Sequence, residues 1–187
     1  ANKLFGAVGD PSQQDAMPIG TYARGCAAGL TEMPETGPNW QVMRLSRHRN
    51  FGQPVLVNYL YDLAGYANQA GWKGIYIGDM GQPRGGPMTS GHASHQIGLD
   101  VDIWTLKPNS LTLTVKERES LSSISVRTAD QLSVNENWDS SYAAFLKLAA
   151  SDPRVDRIFV AAAIKLELCK TATKADKKWL QHIRPEA

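Results

Sequence analysis

Cysteine is almost missing from this sequence: Cys26 and Cys169 are the only two in 187 residues. They permit one disulfide or none, and their long separation fits neither a zinc knuckle nor a Cys-x-x-Cys redox pair. Two buried thiols are at least as good a reading as one bridge. Excess charge is missing too. The net charge is +2, charged residues make up 20% of the chain, and no block of one sign occurs, so nothing argues for a nucleic-acid or membrane-surface partner. No apolar run approaches the roughly 20 residues that cross a bilayer, which excludes membrane insertion by a helix. Ala1 opens a polar, proline-containing stretch without the basic, apolar and small-residue pattern of an export signal. The protein is therefore either not exported or has had its signal removed. Neither an internal repeat nor a low-complexity segment is present.

The length suits one domain, residues 1–187, large enough to bury most of its apolar surface without staples. Residues 1 to about 40 are rich in Gly, Pro, Ser and Thr and keep no period, so irregular arms with short strands at most are expected there. A short strand is expected over Trp40 to Leu45, followed by the basic turn Arg44-Leu45-Ser46-Arg47-His48-Arg49, which reads as solvated. Pro54 suits a first helical turn, and Leu56, Leu60, Leu63 and Ala67 recur at helical spacing, so the pattern predicts a helix over 54–69 closed by Gly71. Tyr59, Tyr61 and Tyr66 on it read as packing. A strand is expected over 73–77 and a weak helix over 115–124. Asp139 should cap a helix ending before Pro153. A buried strand over 157–161 and two short helices, 164–169 and 175–183, complete the order. Helices and strands without a regular βαβ rhythm point to an α+β domain with a mostly antiparallel sheet flanked by helices.

Chemistry concentrates between Gly78 and Trp104. Gly78, Gly81, Gly85, Gly86 and Gly91 make a flexible approach that is not a phosphate loop, because Gly-Lys-Ser/Thr is absent and no helix pattern follows. Ile97, Leu99, Val101 and Ile103 alternate with Gly98, Asp100, Asp102 and Trp104, the period of a half-buried strand that places both aspartates on one face. Six residues separate His95 from Asp102, and imidazole with carboxylate is a good donor pair for zinc. Three readings compete. A metallopeptidase needs three protein ligands and a place for water, whose pKa zinc lowers to about 7; from spacing alone it stands level with a structural histidine bonded to a strand-end carboxylate. A serine-type hydrolase would use Ser90 or Ser94 beside His92 or His95, but Gly-x-Ser-x-Gly is missing. The third is a groove that binds a peptide without turnover.

Ser94-His95-x-x-Gly98-x-Asp100-x-Asp102 resembles the first zinc motif of the group holding lysostaphin-type endopeptidases and D-Ala-D-Ala carboxypeptidases. Within that group, Ile77-Gly-Asp-Met-Gly and Gly91-His-Ala-Ser-His-Gln-x-Gly-Leu-Asp-Val-Asp102 closely resemble the penicillin-insensitive murein endopeptidases. The likeness runs on through Gln41-Val-Met-Arg44, Phe51-Gly-x-Pro54, Lys147-Leu-Ala-Ala150, Arg157-Ile-Phe-Val160 and Arg184-Pro185. The resemblance implies a periplasmic zinc enzyme that cuts D-alanyl to diaminopimelyl cross-links of peptidoglycan. It makes His95 and Asp102 the Zn2+ ligands, with His92 at a further metal position, and it leaves the oligomeric state open. Arg84, in the glycine loop, is expected to hold a substrate carboxylate or an oxyanion. In the family the third ligand and the general base lie in a His-x-His element shortly after the Arg-Pro pair, whereas this sequence closes at Arg184-Pro185-Glu186-Ala187. The expectation is therefore a domain incomplete at its C-terminus and nearly inactive alone, and the resemblance implies further cysteines in the same absent segment.

Overall fold

Proline and glycine punctuate the first forty residues, and what forms there is short. The computed structural model describes residues 1–186. A single helical turn, α1 (Asn2–Gly6), precedes an antiparallel hairpin of β1 (Met17–Thr21) and β2 (Arg24–Ala28), in register from Met17 opposite Ala28 to Thr21 opposite Arg24. β3 (Thr31–Glu32), β4 (Thr36–Gly37), β5 (Trp40–Val42) and β6 (Phe51–Gly52) follow, with β3 antiparallel to β6 and β4 antiparallel to β5.

The helix α2 (Pro54–Gln69) occupies the predicted span, with proline in its first turn and Leu56, Val57, Leu60, Leu63, Ala64 and Ala67 buried along one side. Gly71 has φ +95°, and its N–H donates to Asn68 O at 3.0 Å while Trp72 N–H reaches Ala67 O at 2.9 Å. This left-handed residue just past the helix satisfies terminal carbonyls at no Cβ cost. The chain then enters β7 (Ile75–Ile77), parallel to β5 with Trp40 opposite Ile75 and Val42 opposite Ile77. Parallel neighbours need a crossover, and α2 provides it. This one βαβ unit matters for function, because the carboxyl ends of two adjacent parallel strands form a natural ligand crevice.

α3 (Val115–Ser120) carries a capping box between Thr114 and Glu117. α4 (Ser140–Ser151) starts at Asp139, whose carboxylate accepts Ser141 N–H at 2.8 Å, the side-chain cap expected of that residue. Its Tyr142 and Phe145 clasp Trp72, with ring centroids 4.9 and 4.8 Å away, and Trp72 Nε1 donates to Ser141 Oγ at 2.8 Å. Tyr59 donates to Ala149 O at 3.1 Å and Tyr66 to Asp152 Oδ2 at 2.8 Å, so these tyrosines join α2 to α4. The main core lies between these two helices and the β5–β7 pair. β8 (Ile158–Val160), α5 (Ala162–Lys170), α6 (Lys177–Leu180) and β9 (Ile183–Pro185) close the described chain, β8 and β9 pairing in parallel.

The class is α+β, with three antiparallel and two parallel strand pairings spread over four small sheets. Several expectations change. The segment 157–161 forms a strand, but Phe159 is exposed. Ile183 belongs to β9 and not to a helix. Cys26 is half-buried and Cys169 exposed, both as free thiols. No helix among the described residues is long and apolar enough to cross a membrane.

Candidate metal centre

The largest departure from the period-two reading is at Ile97 to Trp104, where no strand forms and Ile103 alone makes an antiparallel bridge, to Ile77. Gly98 explains the break. Its φ of +75° lies outside extended space, and its carbonyl accepts the N–H of Gln53, the residue before α2, at 2.8 Å. The chain wraps the start of α2 instead of running flat. Beyond that bend it still follows β7: Gly78 N–H donates to Asp102 O at 2.8 Å, and Asp102 N–H to Asp79 O at 3.0 Å. Asp102 is therefore held beside Gly78 and Asp79, at the carboxyl end of β7.

The glycine loop is folded tightly around amide side chains. Gln82 Nε2 lies 3.2–3.3 Å from the carbonyls of Gly85, Gly86 and Pro87. Gln96 gives Nε2–H bonds to Ala23 O and Ala93 O and accepts Gly25 N–H, so the hairpin β1–β2 buttresses the segment that carries the histidines. Between these anchors His95 adopts φ +66°. A non-glycine residue holds that conformation at a cost of about 1–3 kcal/mol, and such outliers gather at functional sites.

His95 is buried at 1% exposure and its two nitrogens face different acids. Nδ1 lies 2.8 Å from Asp100 Oδ2, and Nε2 lies 3.4 Å from Asp102 Oδ2. The first contact fixes the tautomer, because Nδ1 carries the donated proton. Nε2 is left buried without a hydrogen-bond partner. Burial works against a charged imidazole, but the Asp100 hydrogen bond and the negative charge of Asp100 and Asp102 outweigh it and hold His95 above the usual histidine range. The same negative field favours any cation at this point. Burial also opposes ionisation of Asp102, and the imidazoles of His95 and His92 more than offset it, holding that carboxyl below its usual range.

His92 Nδ1 lies 3.5 Å from Asp102 Oδ2, and its ring centroid is 4.9 Å from that of His95. One donor atom from each of His92, His95 and Asp102 falls within 4.8 Å of the others. An orphaned imidazole nitrogen, oriented from behind by a carboxylate and facing a second imidazole and a second carboxylate, is a donor set that fits zinc. His92 and Asp102 are partly exposed, so the trio opens on a cleft of about 320 Å³ shared by Arg44, Arg47, Asp79, Trp104 and Ser123.

Asp79 is the residue that sequence reasoning missed. Its carboxylate is 3% exposed, and one oxygen meets Arg47 Nη1 and Arg49 Nη1 at 2.9 Å and His92 Nε2 at 3.2 Å. The turn read as solvated is thus partly an internal ion-pair network. Arg49 is buried and also donates to Ser90 O and Oγ. The available signals were the position of Asp79 two residues past the apolar strand Ile75–Ile77 and its place in the Ile77-Gly-Asp-Met-Gly motif.

Other candidates lie elsewhere. Arg84 is exposed, gives an Nε–H bond to Asp10 O at 3.3 Å and does not line the cleft, because the left-handed Gly85 and Gly86 turn the loop inward behind it. Ser90 faces Arg49, and among the described residues neither Ser90 nor Ser94 bonds an imidazole. His48 and His182 meet the carbonyls of Gly9 and Asp156.

A model of the family described as penicillin-insensitive murein endopeptidase matches residues 18–187. The chain is similar to the penicillin-insensitive murein endopeptidase of Haemophilus influenzae, 41% identical over 170 residues that cover 91% of this chain and 59% of that protein. The proteins of the same name from Salmonella arizonae and Salmonella typhi are 41% identical over 182 residues, covering 91% of this chain and 62% of theirs. The chain thus spans about three fifths of the length of these relatives.

Proposed function

Because the chain belongs to the penicillin-insensitive murein endopeptidase family, we propose that it is the ligand-bearing part of a zinc peptidase that cuts D-alanyl to diaminopimelyl cross-links of peptidoglycan in the periplasm. The observation that carries this reading is the buried, unpartnered Nε2 of His95, turned towards Asp102 and His92 with Nδ1 engaged by Asp100. His95, Asp102 and His92 hold the metal, which supplies Lewis acidity towards a scissile carbonyl and towards water.

The protein's own groups prepare that site. Asp100 keeps the His95 lone pair on Nε2, and Asp79 keeps His92 turned so that Nδ1 faces Asp102. The buried Arg49 neutralises Asp79, so the carboxylate orients His92 without adding an unbalanced charge. No covalent intermediate is involved. Of the four histidines, His48 and His182 are engaged away from the cleft. With His92 and His95 on the metal no imidazole is left to carry a proton, and residues 1–187 alone should turn over slowly, by about the 10²- to 10⁴-fold that such a group contributes.

The test is to strip the protein with a chelator, reload it with zinc and follow release of monomers from cross-linked muropeptide dimers. Release that requires zinc and ignores serine-acylating inhibitors supports the peptidase. Release that survives chelation and stops on acylation overturns it in favour of Ser94, and retention of the dimer with no zinc-dependent release, even over incubations long enough for that slow turnover, replaces it with a binding module.

A further inference from the structure

Arg44 enters the cleft just beyond the carboxyl end of β5 and is held there with unusual firmness. Its backbone is left-handed at φ 55°, a conformation that costs a non-glycine residue energy and needs support from its surroundings. Its backbone N–H and its Nη1 both donate to the carbonyl of Arg118, at 3.1 and 2.7 Å. The guanidinium lies over Trp104, with Cζ 5.1 Å from the ring centroid. One edge is tethered and one face is stacked, so the remaining donors have a set direction. Among the described residues Nε and Nη2 of Arg44 make no hydrogen bond and its guanidinium no ion pair. Glu119 is occupied by the N–H and hydroxyl of Ser46 at 2.8 and 2.9 Å. Arg47 lines the same cleft, with Nη1 on Asp79 and its side chain 44% exposed.

We propose that Arg44, assisted by Arg47, is the receptor for a substrate carboxylate, the one on the carbon next to the scissile amide nitrogen. This rests on the endopeptidase reading above. A D-alanyl to diaminopimelyl bond carries a free carboxylate one carbon from the nitrogen that becomes the leaving amine. An ordinary peptide bond has a neutral amide at that place. Arg44 and Arg47 share one cleft with Asp102 and His92, so a substrate whose carbonyl meets the metal ligands can present this carboxylate to the arginines. A planar, pre-stacked guanidinium matches a carboxylate through two donors. Rejection of the neutral analogue follows, because it leaves the cation desolvated and unmatched.

The test uses two cross-linked peptides that differ only in carrying a carboxylate or a carboxamide at that carbon. The zinc-loaded protein should favour the carboxylate by about 10- to 100-fold in kcat/KM, the range of one charge-assisted hydrogen-bonded pair. Arg44→Gln should bring the ratio towards one, Arg44→Lys should keep part of it, and Arg47→Gln should lower it only a few-fold. Affinity of the metal-free protein for the released diaminopimelyl peptide, carboxylate against carboxamide, is measured in parallel by calorimetry. If Arg44→Gln slows both substrates equally and leaves the ratio intact, the inference is overturned and Arg44 only supports the fold. If neither rate nor affinity distinguishes the two ligands, it is overturned as well. If nothing is cleaved even over incubations long enough for the slow turnover expected of residues 1–187, but the carboxylate preference in binding is present and vanishes in Arg44→Gln, the inference stands and the endopeptidase reading falls.

Discussion

One carboxylate oxygen of Asp100 meets His95 twice, lying 2.8 Å from Nδ1 and accepting the backbone N–H at 3.2 Å. That oxygen fixes both the ring and the left-handed backbone beneath it. Asp100→Asn keeps the shape but weakens the hold on the tautomer, and zinc affinity should fall by about 10- to 100-fold, as it does when an outer partner of a ligand is lost. Asp102→Ala removes a charged donor and should cost more. Competition against a chromophoric chelator measures both, and equal losses would show that the two aspartates have been given the wrong roles.

Gly98 gives an independent test of the bend that replaces the expected strand. A Cβ there would lie 2.7 Å from Leu30 Cδ2 and 3.1 Å from Gln53 N, on a backbone at φ +75°. Gly98→Ala should destabilise the fold by about 1–3 kcal/mol from the backbone alone, seen as a lower urea midpoint. It should also loosen zinc, since His95 and Asp100 flank the bend. A variant as stable as the parent would refute this account of the loop.

Asp152 makes stability depend on acid. Its side chain, 4% exposed, accepts from Arg154 Nε and Nη2 and from Tyr66. The Arg154 hydrogen bonds, opposed by burial and aided by Tyr66, hold its carboxyl well below the usual range. Folded below unfolded means that the contribution is fully present above the unfolded pKa of about 3.9 and is lost as pH falls from there towards the folded value. Asp152→Asn should therefore cost about 1.5–3 kcal/mol at pH 7, the range of hydrogen bonds to a charged group, and progressively less below pH 4. Denaturant titrations at pH 7, 4 and 3 check this, and a cost that does not shrink in acid would point to packing instead.

Local rules carried much of the fold. Pro54, the spacing of Leu56, Leu60, Leu63 and Ala67, and Gly71 mark α2 at both ends, and Asp139 marks the start of α4. These signals act within a few residues. What escaped them is long-range. Alternation over Ile97–Trp104 looked like a strand because period alone ignores that Gly98 bends around α2. β9 exists through its parallel partner β8, far away in sequence. At the site, spacing put His95 near Asp102, and the structure brings His92 to them. Arg47 and Arg49 read as solvated because their acid, Asp79, stands some thirty residues on.

That network makes the last prediction. Asp79 is the only carboxylate paired with Arg49 among the described residues, and it also holds His92 Nε2. Asp79→Asn leaves a buried guanidinium without its counter-charge, so stability should fall by about 3–5 kcal/mol. His92 loses the group that aims Nδ1 at Asp102, and zinc affinity should drop by about 10- to 100-fold. Arg47→Gln is the control for charge alone: its side chain is 44% exposed, so losing its pair with Asp79 should cost less than stranding the buried Arg49. Calorimetric unfolding with and without zinc separates the two effects, because the gain in melting temperature on adding metal reports affinity while the metal-free value reports the ion pair. Should Asp79→Asn lower the metal-free value and leave the zinc-dependent gain intact, Asp79 serves the fold only and His92 reaches the metal without it.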